Sequence, residues 1–384
     1  MLLMQFEAYP FEKLNRLLAD VIVDKGLNPI SLTIGEPQFE TPDFIQNSLK
    51  EHSALLRRYP ASRGEDFLVD AQLGFVRRRF GVTLDATQII PTFGTREVLF
   101  NFPQFLLFDR PHPVMAYTNP FYQIYEGAAI ASRAKVWHID LLPENDFRPR
   151  IDEAKLVDTD LVILNFPNNP TAATMALEEL GRWVEWALKY DFVLMNDECY
   201  SEIYLDTPPP SLLEASIAVG NPSFKNVVVI NSISKRSSAP GLRSGFIAGD
   251  ATILKSYAQY RTYVGCASPL PLQHAAADAW SNERHVQKAR EYYRQNFALA
   301  QEILGVAPAQ ATFYLWIAVG DDEAFARFLY RTQNVKVLPG RYLGRNGLGE
   351  GYIRIALVEE PSITERALVR LKTVLEAFAQ EPQA

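Results

Sequence analysis

The sequence predicts an α/β protein: a large domain with a mostly parallel sheet between layers of helices, followed by a smaller α/β lobe. Two observations carry the sheet. Six short runs, PVMAYT (113–118), KVWHID (135–140), LVILNF (161–166), DFVLMN (191–196), NVVVIN (226–231) and GFIAGD (245–250), are separated by helix-like stretches. They are apolar nearly throughout instead of alternating, as strands covered on both faces are. The second lobe follows from length, since 384 residues exceed one ordinary domain at roughly 100–200 residues each.

Taken in order, residues 1–40 mix aromatics, Pro10 and an apolar-periodic stretch from Leu14 to Val23, an arm followed by a helix that joins the smaller lobe. Residues 41–270 hold the six runs and form the large domain. After Pro271 no proline interrupts the helical pattern QHAAADAWSNERHVQKAREYYRQNFALAQEILG, so one long connecting helix is expected over 271–302. Within 303–384, FYLWIAV, VKVLPG and YIRIALV read as strands and SITERALVRLKTVLEAFA as a closing amphipathic helix.

Composition narrows the function. The chain has 38 Lys+Arg and 45 Asp+Glu, a net charge of −7, which speaks against nucleic acid as a partner. Hydrophobic residues make up 48% with no run long enough for a membrane span. Two cysteines, Cys199 and Cys266, are too few for a disulfide framework or a thiolate cluster. The opening MLLMQFEAYPFEK lacks the basic region of a secretory signal, and a cytoplasmic protein is expected.

In a doubly wound sheet the ligand lies beyond the carboxyl ends of the strands, so the residues directly after each run are the informative ones. Those positions hold Ser232-Ile233-Ser234-Lys235, Asp197-Glu198-Cys199-Tyr200, Pro167-Asn168-Asn169-Pro170 and Asn119-Pro120-Phe121-Tyr122. Taken singly, each has a plain structural reading: a solvated lysine, a helix-capping aspartate, an asparagine turn, a packed ring. Together they supply what pyridoxal phosphate requires: an amine for the aldehyde, an acid for the ring nitrogen and a ring to stack on. Phe93-Gly94-Thr95-Arg96 precedes the helical EVLFNFPQFLLF and offers helix amides to the phosphate, with Ser232 and Arg243 completing the cup.

At this point the chain resembles the class I/II, fold type I aminotransferases that depend on pyridoxal phosphate. The resemblance runs through TIGEP (33–37), RYPASRG (58–64), FGTREVLF, NPFYQIY, NFPNNPTA, DECY, SISKRSSAPGLRSGF, LPGRYLG and YIRIAL. It implies that Lys235 bonds the cofactor's aldehyde, Asp197 pairs with the ring nitrogen, and Tyr200 and Asn169 reach the ring oxygen. Tyr122 would stack on the ring, Arg354 would clamp the substrate α-carboxylate, and Gly35 would offer a backbone contact there. Tyr59 resembles the tyrosine that reaches the neighbouring subunit's phosphate, which implies a homodimer. Three positions depart from the family: Ala172 stands where glycine is usual, Phe166 precedes the Pro-Asn-Asn-Pro, and Arg341 replaces a common serine.

The implied reaction is ping-pong amino transfer between an amino acid and a 2-oxo acid. The tail LPGRYLGRNGLGEGYIRIALVEE resembles bacterial succinyldiaminopimelate aminotransferases, which implies N-succinyl-LL-2,6-diaminopimelate and 2-oxoglutarate as substrates. Aspartate, aromatic and other amino acid aminotransferases share the same motifs. A distal carboxylate calls for a guanidinium at the mouth of the site, with Arg341, Arg345 and Arg63 as candidates. Other enzyme classes fail on their partners. Ser-x-x-Lys lacks Ser-Asp-Asn and Lys-Thr-Gly, GLGEG has the wrong spacing for a dinucleotide loop, and the five histidines form no ligand pair.

Overall fold

The computed structural model describes residues 6–23 and 26–378. The first five residues, part of the opening weighed as a signal, lie outside the described residues, as do the last six, which include Ala379 of the expected closing segment.

All six apolar runs form strands of one seven-stranded sheet. Its members are β2 (Ile89–Thr92), β3 (Val114–Asn119), β4 (Lys135–Asp140), β5 (Leu161–Leu164), β6 (Val193–Asp197), β7 (Val227–Ser232) and β8 (Gly245–Gly249). The order is β2-β8-β7-β6-β5-β3-β4, with β8 antiparallel to both neighbours and every other pairing parallel. Because side chains alternate along a strand, each strand feeds two cores. Ala116, Val162, Leu164, Leu194 and Val229 meet the helices Asp66–Phe80, Leu177–Tyr190 and Leu270–Ser281 on one face. Met115, Leu161, Ile163, Met195 and Ile230 meet the helix Thr95–Leu106 and Tyr257 on the other. Both faces are covered, which is why these runs read as continuously apolar.

The smaller lobe has a three-stranded sheet of β11 (Leu338–Pro339), β12 (Tyr352–Ala356) and β9 (Tyr314–Ala318), all antiparallel. VKVLPG is divided: β10 (Val335–Lys336) pairs in parallel with β1 (Ile30–Ser31). The helix Pro10–Leu18 buries Leu14 and Leu18 against Leu338, Tyr342 and Leu343, and Arg327 fixes its end through Asp20 at 2.7 Å.

The single helix expected over 271–302 is corrected. Two helices, Leu270–Ser281 and Arg284–Leu304, are separated at Asn282 and Glu283. Asn282 turns to an extended conformation, φ −116° and ψ 127°, and its side chain accepts the Arg284 amide at 2.9 Å. A short polar side chain competing for a backbone amide ends one helix and starts the next without any proline. The first of these helices packs on Asp43–Glu51 and Asp66–Phe80 beside the large sheet. The second packs on the closing helix Pro361–Phe378.

Candidate functional site

The strand ends β3, β5, β6 and β7 converge with the N-terminus of Thr95–Leu106 on one cavity of about 870 Å³. Thr95, Arg96, Tyr122, Asn169, Asp197, Tyr200, Ser232, Lys235, Arg243, Gly35 and Arg354 all line it. It falls within the range of small-molecule sites.

Asp197 ends β6 and is buried. Its Oδ1 accepts the Cys199 amide at 3.2 Å and its Oδ2 the Tyr125 hydroxyl at 3.1 Å. Burial pushes this carboxyl above its ordinary pKa; the Cys199 and Tyr125 hydrogen bonds and the charge of Lys235 oppose that rise. Lys235 sits one turn beyond β7 in the short helix Ile233–Arg236, which Ser232 caps by accepting the Ser234 amide. Its Nζ donates to the Gly35 carbonyl. Burial lowers its pKa to about 8, so the free amine is available near neutrality.

One end of the cavity is built from backbone. Gly94 has φ +73°, and a Cβ there would lie 2.2 Å from the Arg243 guanidinium, so glycine lets that cation reach the helix N-terminus. No side chain caps the helix Thr95–Leu106, which leaves its first amides free for an anion. Arg243 spans Pro240 and Phe93 through their carbonyls at 2.8 and 3.3 Å. Thr95 Oγ1 lies 3.2 Å from Cys199 Sγ.

At the opposite end Arg354, on β12, is buried and held by the Asn169 side chain at 2.7 Å, the Thr33 carbonyl at 2.6 Å and the Tyr314 ring at 4.4 Å. Its Nε has no acceptor. Gly35 belongs here for a steric reason: a Cβ would lie 1.9 Å from the Tyr314 hydroxyl. Ala172 adopts φ +62°, the left-handed region that glycine enters without strain. A buried amine, a buried carboxyl, an uncapped helix with hydroxyls and a guanidinium with an orphan Nε fit pyridoxal phosphate and an amino acid.

Five candidate residues do not line the cavity. Arg341 is taken by carboxylates: Asp322 at 2.6 Å, Glu323 at 3.1 Å and Asp321 at 3.4 Å. Asp322 is fully buried, so this cluster is structural and the distal-carboxylate role of Arg341 is withdrawn. The Arg345 guanidinium is likewise spent on Glu126 at 2.8 Å and Glu7 at 3.4 Å, while its backbone amide donates to Asn119 Oδ1 at 2.9 Å. Tyr59 and Arg63 are exposed and away from the lining. Gly94 lies just behind the wall, between Phe93 and Thr95.

The structure adds residues that were not singled out. Tyr125 lies in the first turn of the helix Ile124–Ala131, three positions after Tyr122, whose carbonyl accepts its amide at 3.0 Å. Asn165 holds the Asp197 carbonyl at 2.9 Å and, through Oδ1, the Asn169 amide at 2.9 Å. Tyr314, 3.0 Å from the Tyr200 hydroxyl, and Tyr9 and Phe11 of the arm had no local signal.

Residues 28–371 match the family described as aminotransferase class I and II. The chain is a class I and II aminotransferase. The family depends on pyridoxal phosphate, in accord with the cavity. Among curated relatives, an LL-diaminopimelate aminotransferase of Aquifex aeolicus is 30% identical, over 95% of this chain and 96% of that one. Another from Nitratidesulfovibrio vulgaris is 31% identical over 94% and 95%. Among solved structures, aminotransferase AspB of Helicobacter pylori has a TM-score of 0.94 with 51% identity, covering 97% of this chain and 99% of that one. An aminotransferase of Neisseria meningitidis has a TM-score of 0.93 with 38% identity over 97% and 99%. Among the described residues of this aminotransferase, no helix is long and apolar enough to cross a membrane and no acidic, histidine or cysteine group forms a metal site.

Proposed function

We propose that this aminotransferase exchanges an amino group between N-succinyl-LL-2,6-diaminopimelate and 2-oxoglutarate, a step of lysine and diaminopimelate synthesis, and that Arg96 reads the carboxylate far from the reacting amine. One observation carries the reading. Three guanidiniums line the cavity, those of Arg243, Arg354 and Arg96. Among the described residues none has a carboxylate partner, although Glu97 beside them is held by Arg261 at 2.7 Å. A cofactor phosphate matches Arg243 and a substrate α-carboxylate matches Arg354. Arg96 remains for a second carboxylate, with Nε and Nη2 on the neutral Tyr122 hydroxyl at 3.0 and 2.8 Å. Both proposed substrates carry that second anion.

When bound, pyridoxal phosphate supplies an aldehyde that condenses with amines and a ring that withdraws the electrons of the Cα–H bond. Lys235 would be the base that carries the proton taken from the substrate Cα. Asp197 holds a proton on the ring nitrogen, with Tyr125 and the Cys199 amide holding Asp197. Tyr122 covers the ring, Asn169 and Tyr200 address its oxygen, and Arg354 with Gly35 orients the α-carboxylate. Tyr59 serves the phosphate of a second subunit in a homodimer, and the enzyme works in the cytoplasm.

A second reading also has support: Tyr9, Phe11, Phe93 and Phe100 line the cavity and suit an aromatic donor. Single-turnover spectra of the holoenzyme with a panel of donors separate the two. The succinylated substrate and glutamate should react fastest, and Arg96→Met should slow both while sparing aromatic donors. Fastest reaction with an aromatic donor, or with unsuccinylated diaminopimelate, overturns the assignment.

A further inference from the structure

We propose that Arg236 is a positioning residue that fixes Lys235 in the cavity by anchoring the turn after it to the junction of the helices Leu270–Ser281 and Arg284–Leu304. The inference rests on the role proposed for Lys235. The two residues are consecutive in the helix Ile233–Arg236, so their side chains leave the backbone about 100° apart. Lys235 enters the cavity; Arg236 enters the core.

The Arg236 guanidinium is 1% exposed and lies between the rings of Phe75 and Trp280, at 4.9 and 5.2 Å. Its Nη1 donates to the Ala279 carbonyl and its Nη2 to Glu283 Oε2, both at 2.8 Å. Nε has no acceptor. Burying a guanidinium is costly, and an apolar side chain of similar volume would fill the space between two rings without that cost. What an apolar chain cannot do is fork. The fork spans the last turn of one helix and the two-residue break before the next. An electrostatic role toward Lys235 does not account for it: Arg354 and Arg243 are the cations that add to burial in lowering the lysine, and Glu283 meets the charge of Arg236.

The next residues repeat the tie. Ser237 Oγ lies 2.8 Å from His285 Nε2, on the first turn of Arg284–Leu304, and Thr41 donates to the Ser238 carbonyl at 2.6 Å. Further along that helix, Asn296 donates to the carbonyls of Leu357 and Glu359 at 3.1 and 2.8 Å, just past the strand bearing Arg354. Between Glu283 and Asn296 the helix runs roughly 20 Å. One rigid rod thus carries the anchor of Lys235 near its start and that of the Arg354 strand near its middle. It fixes the distance between the group that takes the amine and the group that takes the carboxylate.

The test uses the full chain as Arg236→Met, Arg236→Lys and Glu283→Gln, with Lys235→Ala as control. Cofactor-free protein is mixed with pyridoxal phosphate, and covalent capture is followed by absorbance across pH, alongside thermal unfolding, kcat and KM. Arg236→Met should fold, slow capture and kcat by roughly 10–100-fold, and leave KM for the amino donor unchanged. Arg236→Lys should not rescue it, because one ammonium cannot span both acceptors. Capture and kcat within two-fold of wild type in folded Arg236→Met, or full rescue by lysine, overturns the proposal. Should Arg236→Met fail to fold, Glu283→Gln decides: slowed capture upholds the anchor and wild-type capture overturns it. Capture that persists in Lys235→Ala would overturn the lysine reading itself, and with it the premise of this one.

Discussion

Tyr125 donates its hydroxyl to Asp197 Oδ2 at 3.1 Å inside the wall of the cavity. Burial raises the pKa of this carboxyl, and the contact, with the Cys199 hydrogen bonds and the charge of Lys235, opposes that rise. Tyr125→Phe removes the donor without opening a cavity, so Asp197 loses about 1.5–3 kcal/mol of charged hydrogen bonding. Its pKa should rise further and its hold on the ring proton weaken, slowing the half-reaction roughly 10–150-fold in single-turnover spectra. Asp197→Asn should slow it more, with cofactor content falling only modestly. A Tyr125→Phe rate equal to wild type would mean that the Cys199 hydrogen bonds and the charge of Lys235 suffice.

Lys235 has no substitute among the cavity residues, since the other cations lining it are arginines. Lys235→Ala should keep the cofactor through the phosphate cup while losing transamination by orders of magnitude. Retention of wild-type turnover would sink the assignment.

The lowered pKa of Lys235 also sets a pH dependence. Burial favours the neutral amine, so its pKa falls to about 8 and the ammonium dominates only below that value. Capture of pyridoxal phosphate by cofactor-free enzyme should rise about ten-fold per pH unit below 8 and level off above it. A profile still rising at pH 10 would show a lysine with its ordinary pKa.

Arg341→Ala tests whether the ion cluster with Asp321, Asp322 and Glu323 is structural. The guanidinium meets Asp322, which is fully buried, at 2.6 Å. Its loss leaves an unpaired buried carboxylate, a cost of about 2–4 kcal/mol after allowing for the half-exposed partner. Thermal unfolding should come at lower temperature while KM for the succinylated substrate stays unchanged. A selective rise in that KM would restore the role that the ion cluster removed.

The strand-end residues were legible because function and topology coincide there: a residue after an apolar run must stand at the sheet edge, as Asp197 and Lys235 do. Arg341 was misread because its partners Asp321 and Asp322 lie some twenty residues away, and nothing local distinguishes a free guanidinium from a neutralised one. The break at Asn282 was hidden for the opposite reason, since the helical period continues across it and only a side-chain cap interrupts the backbone. Tyr314 and the arm residues reach the cavity through tertiary packing between lobes, which no spacing encodes.

The last prediction concerns assembly. Tyr59 is fully exposed and Arg63 has no carboxylate partner among the described residues, although both belong to the RYPASRG segment. An exposed ring beside unpaired cations suits contact with a second copy, where Tyr59 would complete the other subunit's phosphate site. If so, the residues of one site come from two chains, and defects on different chains can complement. Lys235→Ala and Tyr59→Ala, each poorly active alone, should regain activity when co-folded, because the mixed dimer holds one site with both lesions and one with neither. Random pairing puts intact sites at about one in four. Activity after co-folding should approach that fraction of wild type and should fall on dilution below the dimer constant. Co-folded mixtures no more active than the average of the two variants, or a monomer by light scattering with full specific activity, would place Tyr59 outside the site.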